Sequence, residues 1–306
     1  MVMQLNRLLL LRELAARGTI TAVAEALAYT PSAVSQQLSA LERELGVALL
    51  QRQGRRVALT AAGQALVDGA DEVFHAAERA TSAAIAAASS IAGPFHVGSF
   101  ASVGATVIPR AFAALRRSHP SLELHFSQYE DEGIRELRLG HLDIWIDEHY
   151  TVLPGPDSDG LSEHRLLTEP VCLAVPSERD LGPDLAAYRN DTWAGATLEQ
   201  AFGRLVHRLT GDAGFEPEMR YLTDDLEVTL QLVSAGVAVA VLPRLATARV
   251  PGGVTVHPLP DVERHVQAFT RPAAMHWPSV ALVLEALTEA GSDVDDAPLL
   301  GVTRTG

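Results

Sequence analysis

The chain contains no lysine. All 24 of its basic residues are arginine, set against 38 acids, and the formal charge over 306 residues is −14. Cysteine is nearly absent too. Cys172 stands alone, which excludes an intrachain disulfide, a CxxC metal or redox site and a secreted disulfide framework. Long apolar runs are missing. The clean run 237–242 falls far short of the about 20 residues a spanning helix needs. The leucines at 8–11 meet Arg12 and Glu13 at once, too soon for the apolar core of a secretory leader. A cytoplasmic protein without a membrane partner is the expectation. No GxSxG, HExxH, P-loop or GxGxxG stands in a fitting context. His96, His119, His125, His141, His149 and His164 are scattered without metal-ligand spacing. These absences predict no enzyme, no metal and no cofactor. Cys172 falls in a strand-like apolar run and reads as an inert core thiol. What remains is ordinary globular composition, with 47% hydrophobic and 20% charged residues, which excludes a disordered or collagen-like chain. The length allows two or three domains.

Charge is distributed unevenly. Residues 1–65 hold seven arginines and four glutamates, a net +3, so the other 241 residues carry −17. A small basic head on an acidic body fits nucleic-acid binding by the head alone. The head has the periodicity of a helix-turn-helix. Leu8, Leu11, Leu14 and Ala15 mark one face of a first helix, and Gly18 its C-terminal cap. Thr21 can cap a short second helix through Ala24 and Leu27. Thr30 and Pro31 then form an N-cap and a first helical position for a third helix. Val34, Leu38, Leu41 and Leu45 supply its apolar face, and Gly46 stops it. The opposite face shows Ser32, Ser35, Gln36, Ser39 and Arg43. Two helices joined by a short turn place the second in the major groove, where small polar residues allow close approach and Gln can bond a base edge in bidentate fashion. The alternative is a helical hairpin whose Ser and Gln merely face water. Residues 49–60 follow as two short strands around Gly54, with Arg52, Arg55 and Arg56 at or beside the tip, suited to phosphates or the minor groove.

The residues Leu8-x-x-Leu11-x-x-Leu14, Gly18-Thr19-Ile20-Thr21 and Ala24-x-x-Leu27 resemble the opening of LysR-type transcriptional regulators. So do Thr30-Pro31-Ser32-Ala33-Val34-Ser35-x-Gln37-Leu38 and Leu41-Glu42-x-x-Leu45-Gly46. Leu49-Leu50-x-Arg52-x-x-Arg55-x-Val57-x-Leu59-Thr60-x-Ala62-Gly63 completes a match across about 60 positions. Leu50 stands where the family usually has Phe, Val23 where it has Ala, and Pro31 where Gln is common. In this reading Ser32, Ser35 and Gln36 face base edges, while Pro31 and Ala33 touch thymine methyls. Thr30, Gln37, Arg52, Arg55 and Arg56 anchor phosphates or the minor groove.

After Thr60 an Ala-rich helix is expected to run to about residue 90, with Leu66, Ala70, Val73, Ala77, Ala80 and Ala84 at the spacing of a coiled-coil seam. The resemblance implies a dimerisation rod, in homodimers that pair into homotetramers. A single helix lying on the body is the other reading. Gly93-Pro94 ends the helix. Beyond it strands at 95–98, 122–126 and 142–146 alternate with helices at 105–117, begun late or kinked by Pro109, and 133–139. That is a parallel βαβαβ series. A second series has strands at 171–175, 219–222 and 237–242 with helices at 198–209 and 226–235. A strand at 265–270 returns to the first lobe, and a helix at 280–290 closes it. Gly140-x-Leu142-Asp143-Ile144, Leu173-Ala174-Val175-Pro176 and Val233-x-Ala235-Gly236-Val237-Ala238-Val239-Ala240-Val241-Leu242-Pro243 resemble the LysR effector domain. The fold class expected is therefore an N-terminal winged helix-turn-helix, all-α with a small β-wing, a long linker helix, and a two-lobed α/β effector domain like a periplasmic binding protein. The divisions are 1–60, 61–90 and 91–292, with lobe I at about 91–167 and 268–292, lobe II at about 168–267, and 293–306 a disordered tail.

Ligands of open parallel sheets bind beyond the carboxyl ends of strands, often at helix N-termini. That rule selects Phe100 and Ser102 after the first strand, Gln128 and Glu130 after the second, and Gly195 and Ala196 before the second-lobe helix. Asp224 joins them, although Thr223-Asp224 also reads as the cap of a helix, as does Ser102. The acids Glu130-Asp131-Glu132 and Asp147-Glu148 suit a cationic effector but read better as a solvated loop face. The partners implied are double-stranded promoter DNA, a small-molecule effector and a second copy of the chain, with RNA polymerase a further candidate. The function expected is sequence-specific, effector-controlled transcription regulation. The competing readings are a small-molecule-binding α/β protein or enzyme with an incidental helical head, and an architectural DNA binder without a ligand.

Overall fold

A computed structural model describes residues 4–27, 29–53, 56–70, parts of 73–84, 91–129, 132–156, 158–248 and 250–295. The chain divides into two compact units, 1–88 and 89–306.

The first unit is built from α1 (Leu5–Arg17), α2 (Ile20–Ala26), α3 (Pro31–Leu45), β1 (Leu50–Gln53), β2 (Arg56–Leu59) and α4 (Ala61–Asp68). α1 ends where Gly18 turns left-handed at φ 76° and its N–H reaches the Leu14 carbonyl. The expected cap of α2 is corrected by two residues. Thr19, not Thr21, is extended and accepts from the Ala22 N–H, because the helix already starts at Ile20. The inward face of α1 is corrected as well. Ala15 is exposed, and Leu10 joins Leu8, Leu11 and Leu14 in the core. Leu10, Leu11 and Leu14 pack with Val23, Ala24, Val34, Leu38, Leu41 and Leu49. The strands pair antiparallel with Leu50 opposite Leu59 and Gln53 opposite Arg56. Thr60 caps α4 by accepting from the Gly63 N–H. A Cβ at Gly63 would stand 2.2 Å from the Leu49 carbonyl oxygen, so only glycine lets α4 sit this close to the wing. The described positions among 70–84 are helical. Ala70 is buried, whereas Val73, Ala80 and Ala84 of the expected seam are exposed in the single chain. Residues 85–90 of that rod and 296–306 of the expected tail lie outside the described residues.

The second unit carries a six-stranded sheet in the order β4-β3-β5-β10-β6-β9. Its strands are β3 (Gly93–Ser99), β4 (Leu122–Gln128), β5 (Ile144–Tyr150), β6 (Ser162–Pro176), β9 (Ala240–Pro243) and β10 (Val254–Thr270). A two-stranded sheet joins β7 (Thr192–Gly195) and β8 (Glu218–Leu222), with Trp193 bridged to Val239 beside β9. β3 pairs in parallel with both β4 and β5, the expected βαβαβ series. The helices are α5 (Ala101–Ser118), α6 (Gly133–Arg138), α7 (Ala201–Asp212), α8 (Leu226–Ser234) and α9 (Pro278–Asp295). α5 starts earlier than expected and keeps Pro109 inside it.

α5 and α9 share a core with β3, β5 and the 266–268 stretch of β10, through Val103, Val107, Leu115, Val280, Val283 and Leu287. A second core places α7 on one face of β6, against Val171, Leu173 and Val175. α8 covers the opposite face, against Cys172 and Ala174. Alternate residues of a strand face opposite ways, so one strand serves both layers. β6, with 15 residues, and β10, with 17, are far longer than the pieces expected at 171–175 and 265–270. They run antiparallel from Ser162↔Thr270 in the first core to Pro176↔Val254 in the second, with a register break between Pro258 and Glu263.

Candidate nucleic-acid interface and ligand site

The third helix presents the expected split. Val34, Leu38 and Leu41 are buried, while Pro31, Ser32, Ser35, Gln36, Ser39 and Arg43 are exposed and Ala33 is half-buried. Thr30 is extended, and its hydroxyl accepts from the Ala33 N–H at 3.2 Å. That hydroxyl also shares a hydrogen bond with the Ser32 hydroxyl at 3.1 Å. Pro31 at the first position costs no hydrogen bond. Gln36 is the long exposed amide of this face. Gln37 differs. It is half-buried, and its side-chain oxygen accepts from Arg7 Nε at 3.0 Å, which leaves its NH₂ group as a donor. Arg7 also reaches Glu44 at 2.8 Å, tying α1 to α3. Arg52 and Arg56 lie on the paired strands of the wing. Arg55 and the side chains of Arg52 and Arg56 lie outside the described residues.

In the second unit the expected ligand residues fall into two sets on either side of the crossing strands β6 and β10. Phe100 caps α5, and Gln128, exposed, pairs with Ser99 at the carboxyl end of β3. Ser102 is not the cap expected of it. It lies inside the first turn, buried, and its hydroxyl accepts from Arg264 at 3.0 Å. Glu130 lies outside the described residues. Gly195 and Ala196 are buried at the end of β7, with the Thr223 N–H bonded to the Gly195 carbonyl at 2.9 Å. Asp224 is exposed and does not cap α8. Asp225 does, accepting from the N–H groups of Glu227 and Val228.

The strongest polar cluster centres on a residue outside the expected set, Arg264. It is 1% exposed and bonds Glu169 through Nε at 2.6 Å and Glu148 through Nη1 at 2.7 Å. The Phe100 ring lies 5.2 Å from its guanidinium carbon. Glu169 also accepts from the Leu245 N–H, and Tyr150 donates to Glu148 at 2.7 Å. Burial opposes the charge on Arg264, yet the two carboxylates outweigh it and raise its pKa above the ordinary guanidinium value. Burial pushes Glu169 upward, opposed by Arg264. Burial, then the charge of Glu148, raises Tyr150 well above its usual value. Asp147 and Glu148 are therefore half-buried strand residues of β5, not the solvated loop face expected of them. A sequence signal was present: Val262, Arg264, Val266 and Ala268 alternate, which puts Arg264 on the inward side.

A recognition-type helix with a wing, and a two-core α/β unit crossed by two long strands, define a DNA-binding regulator with a ligand domain. Residues 5–64 match the bacterial regulatory helix-turn-helix protein, lysR family, and residues 88–292 the LysR substrate binding domain. The chain belongs to the LysR family of DNA-binding transcriptional regulators. It is 31% identical over 238 residues to the HTH-type transcriptional regulator ShiR of Corynebacterium glutamicum, covering 72% of this chain and 79% of that one. It is 27% identical over 257 residues to the DNA-binding transcriptional dual regulator OxyR of Escherichia coli, covering 79% and 80%. The structure of full-length CbnR complexed with its target DNA is similar in fold, with a TM-score of 0.54 at 24% identity, over 94% of this chain and all of that one. Among the described residues no helix is long and apolar enough to cross a membrane, and no group of three or more His, Cys, Asp or Glu could hold a metal.

Proposed function

We propose that this regulator reads promoter DNA with α3 and answers to a small molecule held where β3, β4 and β7 end, without catalysing a reaction. The observation that carries the DNA reading is the split of α3: three core side chains inward, and Ser32, Ser35, Gln36 and Ser39 outward on a rigid, doubly capped helix. Gln36, free on both sides of its amide, reads a base edge, whereas Gln37, its oxygen taken by Arg7, donates to phosphate. Ser32 and Ser35 face base edges beside Gln36, Pro31 and Ala33 touch thymine methyls, and Thr30 approaches the backbone, with Arg52, Arg55 and Arg56 on the wing. The relatives named as DNA-binding support the same reading. The effector lies between Phe100, Ser102, Gln128 and Glu130 on one side and Gly195, Ala196 and Asp224 on the other. The linker at 61–90 pairs two chains, the effector domain spans 91–292, and the assembly works as a dimer or tetramer.

Gel retardation of the full chain on the DNA upstream of its own gene, at two salt concentrations with competitor, tests this directly. Gln36→Ala is expected to lose about 1–3 kcal/mol on the preferred site and to relax preference at one base pair. Equal loss on random DNA would remove Gln36 from base reading.

The signal is not a thiol reaction. Cys172 is buried in β6, and burial pushes its pKa up to about 12, far from the thiolate a sensor needs. Hydrogen peroxide is expected to leave Cys172 unmodified by mass spectrometry and the DNA affinity unchanged. Sulfenic acid on the native chain would overturn this.

A further inference from the structure

The turn that joins the recognition helix to the wing is gripped from two sides. On one side a single oxygen of Glu42, in the last turns of α3, accepts the N–H groups of Leu49 at 2.9 Å and Leu50 at 3.0 Å. These are the amides that open the wing. On the other side the Thr60 hydroxyl donates to the Ala48 carbonyl at 2.7 Å, and the Thr60 N–H donates to the Leu49 carbonyl at 2.8 Å. Gly63 of α4 closes against that same carbonyl. The chain in between turns at Gly46, left-handed at φ 70° with its N–H on the Glu42 carbonyl at 2.8 Å, and Val47 and Ala48 are exposed. An ionised acceptor shared by two backbone donors is among the stronger hydrogen-bond arrangements.

Glu42 lies off the outward face of α3, half-buried. A carboxylate on a DNA-binding unit also works against phosphate attraction. Its presence therefore asks for a local role, and its two bonds supply one. We propose that Glu42 is a positioning residue for DNA binding: it fixes the wing, and with it the backbone of Arg52 and Arg56, in register with α3. This rests on the reading of the wing as a DNA contact.

The test measures binding of the full chain to a duplex from upstream of its gene, across a salt series. Glu42→Ala is expected to weaken binding roughly tenfold near 0.15 M salt and to lower the salt slope by about two, as Arg52→Ala with Arg56→Ala does. Combined with that arginine pair it should cost little more, since the contacts are already lost. Glu42→Gln keeps the acceptor oxygen and drops the repelling charge, so it should bind as tightly as the parent or tighter. Glu42→Asp, shorter by one methylene and still charged, serves if the alanine variant unfolds, and should shift the slope in the same direction. An unchanged slope, or losses that multiply with the arginine pair, would show that Glu42 merely supports the fold. A parent chain that ignores the duplex would sink the regulator reading instead.

Discussion

Replacing Arg264 by methionine is expected to remove about 3–5 kcal/mol from the unfolding free energy of the second unit. Methionine keeps most of the stem volume but none of the donors. Glu169, 2% exposed, would lose its main partner, and Glu148 and Glu169 would be left as uncompensated carboxylates near one another. The loss should depend on pH with a definite sign. In the folded parent, burial already raises Glu169 above 4.5, and Arg264 limits that rise. A raised folded value means the folded state keeps a proton that the unfolded chain has released. Stability then falls as pH climbs from about the unfolded value through the folded one. Without Arg264 the folded value moves higher and the window widens upward. The variant should therefore be closer to the parent in acid than at pH 8. Glu169→Leu added to Arg264→Met should recover part of the loss, because an apolar replacement removes the stranded charge. Denaturant unfolding of the three chains at two pH values checks all of this. A single-variant loss below about 1 kcal/mol, or a loss that shrinks as pH rises, would contradict it.

The same cluster marks where the sequence stops being readable. The head was legible almost residue by residue because its signals are local: leucines at three- and four-residue spacing, Gly18 and Gly46 as left-handed stops, Thr30-Pro31 and Thr60 as starts. Even the error at Thr21 is a local one, a choice between two threonines two residues apart. The βαβαβ series was legible for the same reason. The length and register of the crossing strands were not. Pro170, Pro258 and Pro260 punctuate β6 and β10 and resemble strand ends, but Pro170 and Pro258 flank a register break that the pair of strands tolerates. The Arg264 cluster depends on that register. Glu169 and Glu148 lie 95 and 116 positions from Arg264, and nothing short of strand pairing brings them together. Of the ligand residues chosen from strand ends, Gly195 and Ala196 are buried small residues, while the charged network formed by Arg264, Glu148, Glu169 and Tyr150 lies within strands, where that rule does not look.

Leu38→Ala should abolish DNA binding on every sequence, and for a different reason from any change on the outer face of α3. Leu38 is 1% exposed and packs in the core that α1, α2 and α3 share. Truncating such a leucine costs about 2–5 kcal/mol, because the transfer energy is lost and the cavity does not fully collapse. A unit of 88 residues has only about 4–13 kcal/mol to lose at typical stability per residue. The loss is therefore a large share of what the first unit has, while the second unit keeps its own separate cores. Two transitions should appear on heating, the first shifted down by many degrees and the second unmoved. Gln36→Ala, by contrast, should leave both transitions in place and change only which duplex is preferred. Held side by side, the two variants separate what builds the helix from what the helix reads. If Leu38→Ala retained parental affinity, or if it displaced the second transition instead of the first, the assignment of α3 as a core-anchored reading helix would fail.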